Sequence, residues 1–391
     1  MSKTGVKRTG DHRDTLGTPI LVTNENDLHS FMAVARRAPI LSVDTESNSL
    51  YAYYHQICLI QVSFPGADYL IDPLAVDILP LNELFSSPQY QKIFHAAEND
   101  ILGLKRDFDF EFANIFDTMM AARILGWPRA SLAAILQERY GIKTNKRLQR
   151  ANWGRRPIPA DLLAYAQLDT HYLLSLRNEQ EQELRAIGRW EEALETFERL
   201  PGLEWSEKPF NPDAFWKING ARELSHRERA ILKEVFLYRE QRAQQLDRPP
   251  FKVLNQRVLL TISQNQPANM NQLRDTHGLS AQQLRRHGKG IVQAVERGQR
   301  APFPEQPRRR TNNKDRPTPE ALSRYEALRG WRKKRAQQRG VDSDIVFTND
   351  TLMTIARLCP ATMDELANSE ILGPWKLQEY GAEILDIIAS A

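Results

Sequence analysis

The sequence predicts an α/β domain followed by two copies of one small all-α domain. Short apolar runs separated by turn residues fill the stretch from 40 to 95. From 98 to 184 apolar residues recur at helical spacing, and beyond 211 a segment repeats itself at a fixed offset of 93 residues. Strand-like and helix-like patterns in one stretch argue for a sheet with helices packed on it, whereas a helix-period repeat argues for duplicated helical modules. A length of 391 residues suits two or three domains of about 150 residues each.

Residues 1–18 are polar and aperiodic and read as a mobile tail. Asp27 precedes the helical stripe Leu28, Phe31, Met32 and Ala35 as its expected cap, and Pro39 stops that helix. Ile40-Leu41-Ser42-Val43 opens a strand that runs into Asp44-Thr45-Glu46. Ile57 to Phe64 and Tyr69-Leu70-Ile71, separated by Pro65-Gly66, read as consecutive antiparallel strands. A further run, Ile93-Phe94-His95, leads through Glu98-Asn99-Asp100 into the helical pattern Ile101, Leu102, Leu104. Asp100 therefore stands where a strand hands over to a helix, a common place for functional side chains. Helices are expected from Asp117, as cap, to Leu125, and from Ser131 to Tyr140, closed by Gly141. Lys143 to Pro157 is a basic loop containing one indole, Trp153. From Asp161 to Leu184 the helical spacing resumes, and Tyr165 and Asp169, four apart, project from one face.

Pro201 to Phe210 marks a domain boundary. Beyond it, Arg239-x-x-Arg242-Ala243-Gln244-Gln245 recurs as Arg332-x-x-Arg335-Ala336-Gln337-Gln338, and the same offset pairs Leu259 with Leu352, Met270 with Met363, and Gly288 with Gly381. Each copy has a late glycine, expected before a final helix. The resulting division is a tail over 1–18, an α/β domain over 19–210, a first helical domain over 211–300, a basic Pro-rich linker over 301–317, and a second helical domain over 318–391.

Composition narrows the function. No run approaches the ~18 apolar residues of a membrane span, and the expectation is a soluble, cytoplasmic protein. Cys58 and Cys359 lie far apart with no ligand-spaced neighbour, which excludes a disulfide framework or a cysteine zinc site. The formal charge of +4 is uneven: Arg300 to Gly340 holds 13 Lys or Arg against 4 Asp or Glu. That segment suits either a polyanion or a plain solvated surface. The basic loop with Trp153 likewise fits single-strand binding or an indole packed against its own domain.

Asp44 and Glu46, alternate residues of one strand, point to the same side. Two carboxylates so placed either end a strand in a polar loop or repel each other across a bound divalent metal. Asp100 and Asp169 add two more acids from distant parts of the chain, and four carboxylates in one pocket can hold two divalent cations for phosphodiester cleavage.

This set resembles the DEDD exonuclease superfamily. Asp44-x-Glu46 matches its first motif, the segment ending in Asp100 its second, and Tyr165-x-x-x-Asp169 the tyrosine form of its third. His95-Ala96 before Asp100, Asp117-Thr118, and Lys146-x-x-Gln149-x-x-x-Trp153-x-x-Arg156-Pro157 resemble the ribonuclease D family in particular, and the two repeats resemble HRDC domains. One departure is Asn99, where the superfamily often has an aromatic residue. The resemblance implies a ribonuclease H-like domain, a mixed sheet flanked by helices, ahead of two all-α HRDC domains.

It also implies a catalytic set of Asp44, Glu46, Asp100, Tyr165 and Asp169, with the four acids as ligands of two divalent cations, Mg2+ or Mn2+. Asp44 would bridge the two, and Tyr165 would orient the attacking water. His95, Lys146, Gln149, Trp153 and Arg156 are the implied substrate contacts. The implied activity is 3′-5′ exoribonucleolytic release of nucleoside 5′-monophosphates from tRNA precursors and other small structured RNAs, by a monomer with no membrane partner. A DNA exonuclease and an inactive nucleic-acid-binding protein are the alternatives.

Overall fold

The computed structural model describes residues 16–207, 209–306 and 316–391. Most of the expected tail and the middle of the expected linker lie outside the described residues. A six-stranded mixed sheet organises the first part of the chain, in the order β1-β4-β3-β2-β5-β6. Its strands are β1 (Ile20–Val22), β2 (Ile40–Ser47), β3 (Ile57–Phe64), β4 (Ala67–Ile71), β5 (Gln91–Phe94) and β6 (Ile115–Asp117). β2, β3 and β4 form an antiparallel meander, while β1, β5 and β6 add in parallel. β3 is buried along its whole length, which is why it reads as a continuous apolar run.

Helices cover both faces. Leu41, Val43, Ile60 and Val62 pack with Leu28 and Phe31 of helix Glu25–Ala35 and with Ile101 and Leu104 of helix Glu98–Phe108. On the other face Leu59 and Leu70 meet Leu162, Tyr165 and Ala166 of helix Ala160–His171. Beside them, Ile93 and Phe116 meet Leu173 and Leu176 of helix Leu173–Ala186.

Four expectations for this first part of the chain shift. The cap of the first helix is Asn24, whose side chain accepts from the backbone N–H of Asp27 at 3.0 Å, while Asp27 accepts from the N–H of Thr23. β1 and β6 go unseen in the sequence because three residues are too few to show alternation. The stretch from 161 to 184 breaks at Tyr172 into two helices, leaving Tyr165 and Asp169 together on the first. Ser131 to Tyr140 is a short α-helix, Leu132–Ile135, continued by a π-helical turn, Leu136–Tyr140, and ended by Gly141 at φ 72°.

The rest is helical and duplicated. Helices His226–Gln245, Pro250–Val253, Gln256–Asn265, Met270–Arg274 and Ala281–Arg300 recur as Pro319–Arg339, Ser343–Val346, Asn349–Leu358, Met363–Asn368 and Pro374–Ser390. Each of the second set starts 93 residues after its counterpart. The repeated glycines lie inside the final helices, not before them. A Cβ on Gly288 would stand 2.5 Å from Met270 Cε, and one on Gly381 2.7 Å from Met363 Cε, so the paired Gly and Met repeat together because they touch.

Candidate active site

β2 lies inside the sheet, hydrogen-bonded to β3 on one side and β5 on the other. Its pleat sends Leu41 and Val43 into the core beneath helices Glu25–Ala35 and Glu98–Phe108. Asp44 and Glu46 alternate with them and face helix Ala160–His171. Asp44, Glu46 and Asp169 each offer an oxygen, and all three oxygens lie within 4.8 Å of one another. Asp100 joins from the first turn of helix Glu98–Phe108, where its Oδ1 accepts a 2.6 Å hydrogen bond from Thr45 Oγ1. Thr45, the residue between the paired acids, thus ties the second motif to the first.

Glu46, Asp100 and Asp169 are only 8 to 9% exposed. Burial pushes Asp44 well above the ordinary carboxylate range, and Asp100, Asp169 and Glu46 push it further. Glu46 rises to about 9 through burial and then through Asp169 and Asp100. Burial raises Asp100 and Asp169 to about 7, partly opposed by hydrogen bonds from Thr45 to Asp100 and from Tyr165 to Asp169. The charges acting most on Asp44 are therefore all negative, and a carboxylate cluster of this kind is relieved by a cation. An all-oxygen donor set suits a hard divalent ion such as Mg2+ or Mn2+. A second feature fits: Gln61 pairs across the sheet with Asp44, is fully buried, and neither of its amide atoms has a hydrogen-bond partner. Buried amides left this way cost about 1–3 kcal/mol, a penalty that a hydrated ion on the same face can offset.

Tyr165 stands one turn before Asp169 on its helix, and burial together with Asp169, Glu46 and Asp44 raises its phenol above the ordinary value. It therefore stands as a neutral hydroxyl. Trp153 is 1% exposed, packed among Cys58, Leu59, Leu70, Leu162 and Tyr165, with its ring 6.2 Å from that of Tyr165. This corrects the expectation of a substrate contact, since an indole with no free face cannot stack on a base. Arg156 is committed elsewhere too. Its Nε donates to Asp72 Oδ2 at 2.5 Å, Nη2 to Asp72 Oδ1 at 2.7 Å and to the Cys58 carbonyl at 2.6 Å, and Nη1 to the Trp153 carbonyl at 2.7 Å.

His95 Nδ1 lies 2.9 Å from Thr118 Oγ1, burial pushes the ring down to about 4, and its Nε2 has no hydrogen-bond partner among the described residues. Lys146 and Gln149 remain exposed in the loop. Sequence reasoning missed Thr45, Gln61 and Asp72. A lone Gln in the middle of an eight-residue buried strand was the available signal for Gln61.

Comparison with known proteins identifies two kinds of domain in this chain. A family model described as 3′-5′ exonuclease matches residues 19–185, and the HRDC domain model matches residues 228–295 and 321–388. Protein RRP6-like 3 of Arabidopsis thaliana is 36% identical over 170 residues, 43% of this chain but 19% of that protein. The chain thus spans about a fifth of that relative's length. Ribonuclease D of Nitrobacter hamburgensis is 28% identical over 374 residues, covering 93% of this chain and 94% of its own. The crystal structure of Escherichia coli RNase D, an exoribonuclease involved in structured RNA processing, aligns over 96% of this chain and 99% of its own with a TM-score of 0.64 at 22% identity. At that identity the likeness is one of fold.

Proposed function

This chain is a ribonuclease D homologue, a 3′-5′ exonuclease domain followed by two HRDC domains, and from that premise we propose that it trims RNA from the 3′ end in a divalent-metal reaction releasing nucleoside 5′-monophosphates. Its substrates in this reading are tRNA precursors and other small structured RNAs of the cytoplasm. The observation that carries it is the convergence of Asp44, Glu46 and Asp169 within 4.8 Å, with Asp100 tied to the same strand through Thr45.

Asp44, Glu46 and Asp169 would hold one divalent cation, and Asp44 with Asp100 a second. Bound Mg2+ or Mn2+ supplies Lewis-acid charge on both the attacking and the leaving side of a phosphodiester. The protein's own residues do the positioning. Asp169, one turn along the same helix, keeps the Tyr165 hydroxyl beside the acids. Trp153 walls the tyrosine ring, and Arg156 holds the Trp153 loop to Asp72. A phenol kept protonated orients a water molecule through a hydrogen bond and does not serve as a strong base.

The test is a time course on matched RNA and DNA strands carrying the same 3′ sequence, in Mg2+, Mn2+ or EDTA. Stepwise shortening of RNA, dependent on the metal and faster than that of DNA, is expected. Preference for DNA would overturn the substrate, and undiminished activity in EDTA would overturn the metal.

A further inference from the structure

β3 is apolar at every position except Gln61 and Ser63. Both are buried, and as alternate residues both lie on the side of the sheet that helix Ala160–His171 covers. Ser63 has a partner there, its Oγ standing 2.7 Å from Thr170 Oγ1. Gln61 has none: neither Nε2 nor Oε1 is hydrogen-bonded to a described residue. The other buried glutamines differ in this respect. Gln167 Nε2 donates to Asp68 Oδ2 and to the Gly17 carbonyl, both at 2.7 Å, and Gln180 Nε2 donates to the Thr118 carbonyl at 2.8 Å. A glutamine amide carries two donor hydrogens and an acceptor oxygen, and a buried one that satisfies none of them works against folding.

The surroundings of Gln61 show which group can use it. In the row across the sheet it stands between Leu70 on β4 and Asp44 on β2. Leu59 and Ser63 are its neighbours along the strand on the same face, and Ala166, packed with Leu59 and Leu70, adds only a methyl group from the helix above. Leu59, Leu70 and Ala166 offer nothing polar, and the Ser63 hydroxyl is taken. Asp44 is left. Opposed residues of neighbouring strands have Cβ atoms about 5 Å apart, a span that a glutamine side chain covers.

Ser42 flanks the same carboxylate from another direction. Two residues before Asp44 on β2, it shares that face, is 1% exposed, and its Oγ has no hydrogen-bond partner among the described residues. Along its strand and across it, Asp44 is thus bordered by a buried hydroxyl and a buried amide, both without partners.

We propose that Gln61 and Ser42 are positioning residues of the metal site: when the acids hold their cation, the Gln61 amide and the Ser42 hydroxyl bond to the Asp44 carboxylate, directly or through one water, and keep it turned to the ion. This role rests on the divalent-metal reading of the four acids. Ligating carboxylates are oriented by such outer partners, whose loss costs about 10- to 100-fold in metal affinity. The role also explains an amide in an otherwise apolar strand, since a group idle in the metal-free fold is paired once the ion is in place.

The test uses the full-length protein freed of metal with EDTA and dialysed, then titrated with Mn2+ while free Mn2+ is read by electron paramagnetic resonance, beside thermal melting without metal. Gln61→Met keeps the length and shape of the side chain and removes both polar ends. It is expected to weaken Mn2+ binding about 10- to 100-fold and to move the Mn2+ dependence of RNA hydrolysis to higher concentration by a similar factor. Its metal-free Tm should equal or exceed that of wild type, because an apolar group replaces an amide that has nothing to bond. Ser42→Ala should weaken Mn2+ binding about threefold or more. Ser63→Ala is the contrast: its hydroxyl is partnered in the metal-free fold, so Tm should fall while Mn2+ affinity stays within about threefold. A metal-free Tm well below wild type in Gln61→Met would show that the amide is already paired and would overturn the role. Mn2+ affinity within about twofold of wild type in that variant, or an equal loss in Ser63→Ala, would overturn it too. Wild-type protein that binds no Mn2+ would overturn the metal site itself, whereas wild-type binding matched by Gln61→Met overturns only the part given to Gln61 and Ser42.

Discussion

Asp44, Glu46, Asp100 and Asp169 show how far four side chains can be held from their ordinary chemistry. Glu46 rises to about 9 and Asp100 and Asp169 to about 7, above the ~4 of an unfolded carboxylate. The folded chain then binds more protons than the unfolded one, so stability falls as pH rises. The contribution of these acids is intact below pH ~4 and is lost as pH climbs through 7 and 9. Melting of the EDTA-treated protein between pH 5 and 9 should show a falling Tm that Mg2+ or Mn2+ flattens. A rise in Tm across that window, steeper than in an Asp44→Asn/Glu46→Gln variant, would contradict the assignment. Tyr165→Phe removes only the hydroxyl and should slow hydrolysis roughly 10- to 100-fold with little change in RNA affinity. A rate equal to wild type would remove Tyr165 from the reaction. The convergence of these five residues was legible in the sequence because together they match the motifs of the superfamily the chain resembles, although no pair of them stands out alone. Trp153 and Arg156 were legible as a motif but misread, because nothing in a sequence says whether an indole meets a base or Tyr165.

At the scale of elements, legibility followed length. β3, with eight buried residues, and the long helices announce themselves, whereas β1 and β6 are fixed by pairing with β4 and β5, contacts made far away in sequence. The repeat was legible because each helix keeps its place, down to the Gly288–Met270 contact. Helix packing gives a sharper check. A Cβ on Gly288 meets the flexible end of Met270, while one on Gly298 would stand 2.5 Å from the Cα of Ile231 in the facing helix His226–Gln245. A methionine tip can move and a helix backbone cannot without repacking. Gly298→Ala should therefore destabilise by about 1–3 kcal/mol, and Gly288→Ala by less, as read from denaturant midpoints. The reverse order would mean that these two helices approach differently.

For the whole molecule, the docking of the second module on the exonuclease domain was hidden because a repeat in sequence does not reveal which copy packs against another domain. Val341 and Ile345 look like ordinary module residues until the exonuclease domain is seen against them. Glu192, 1% exposed in its side chain, faces Arg339 there. Removing one partner of a buried pair strands the other, at about 3–5 kcal/mol. Arg339→Met should thus loosen the second module, visible as protease cutting near 316 at a rate well above wild type. An unchanged cutting pattern would show that this pair does not hold the module. In the proposed reaction both cation positions depend on Asp44. The deciding measurement is single-nucleotide release from a 3′-extended tRNA in Mn2+, wild type against Asp44→Ala, with RNA binding read in parallel. A loss of at least about a thousandfold in rate with affinity within about threefold is expected, on the scale of losing an essential catalytic group. Full activity in Asp44→Ala would contradict the four-acid metal site.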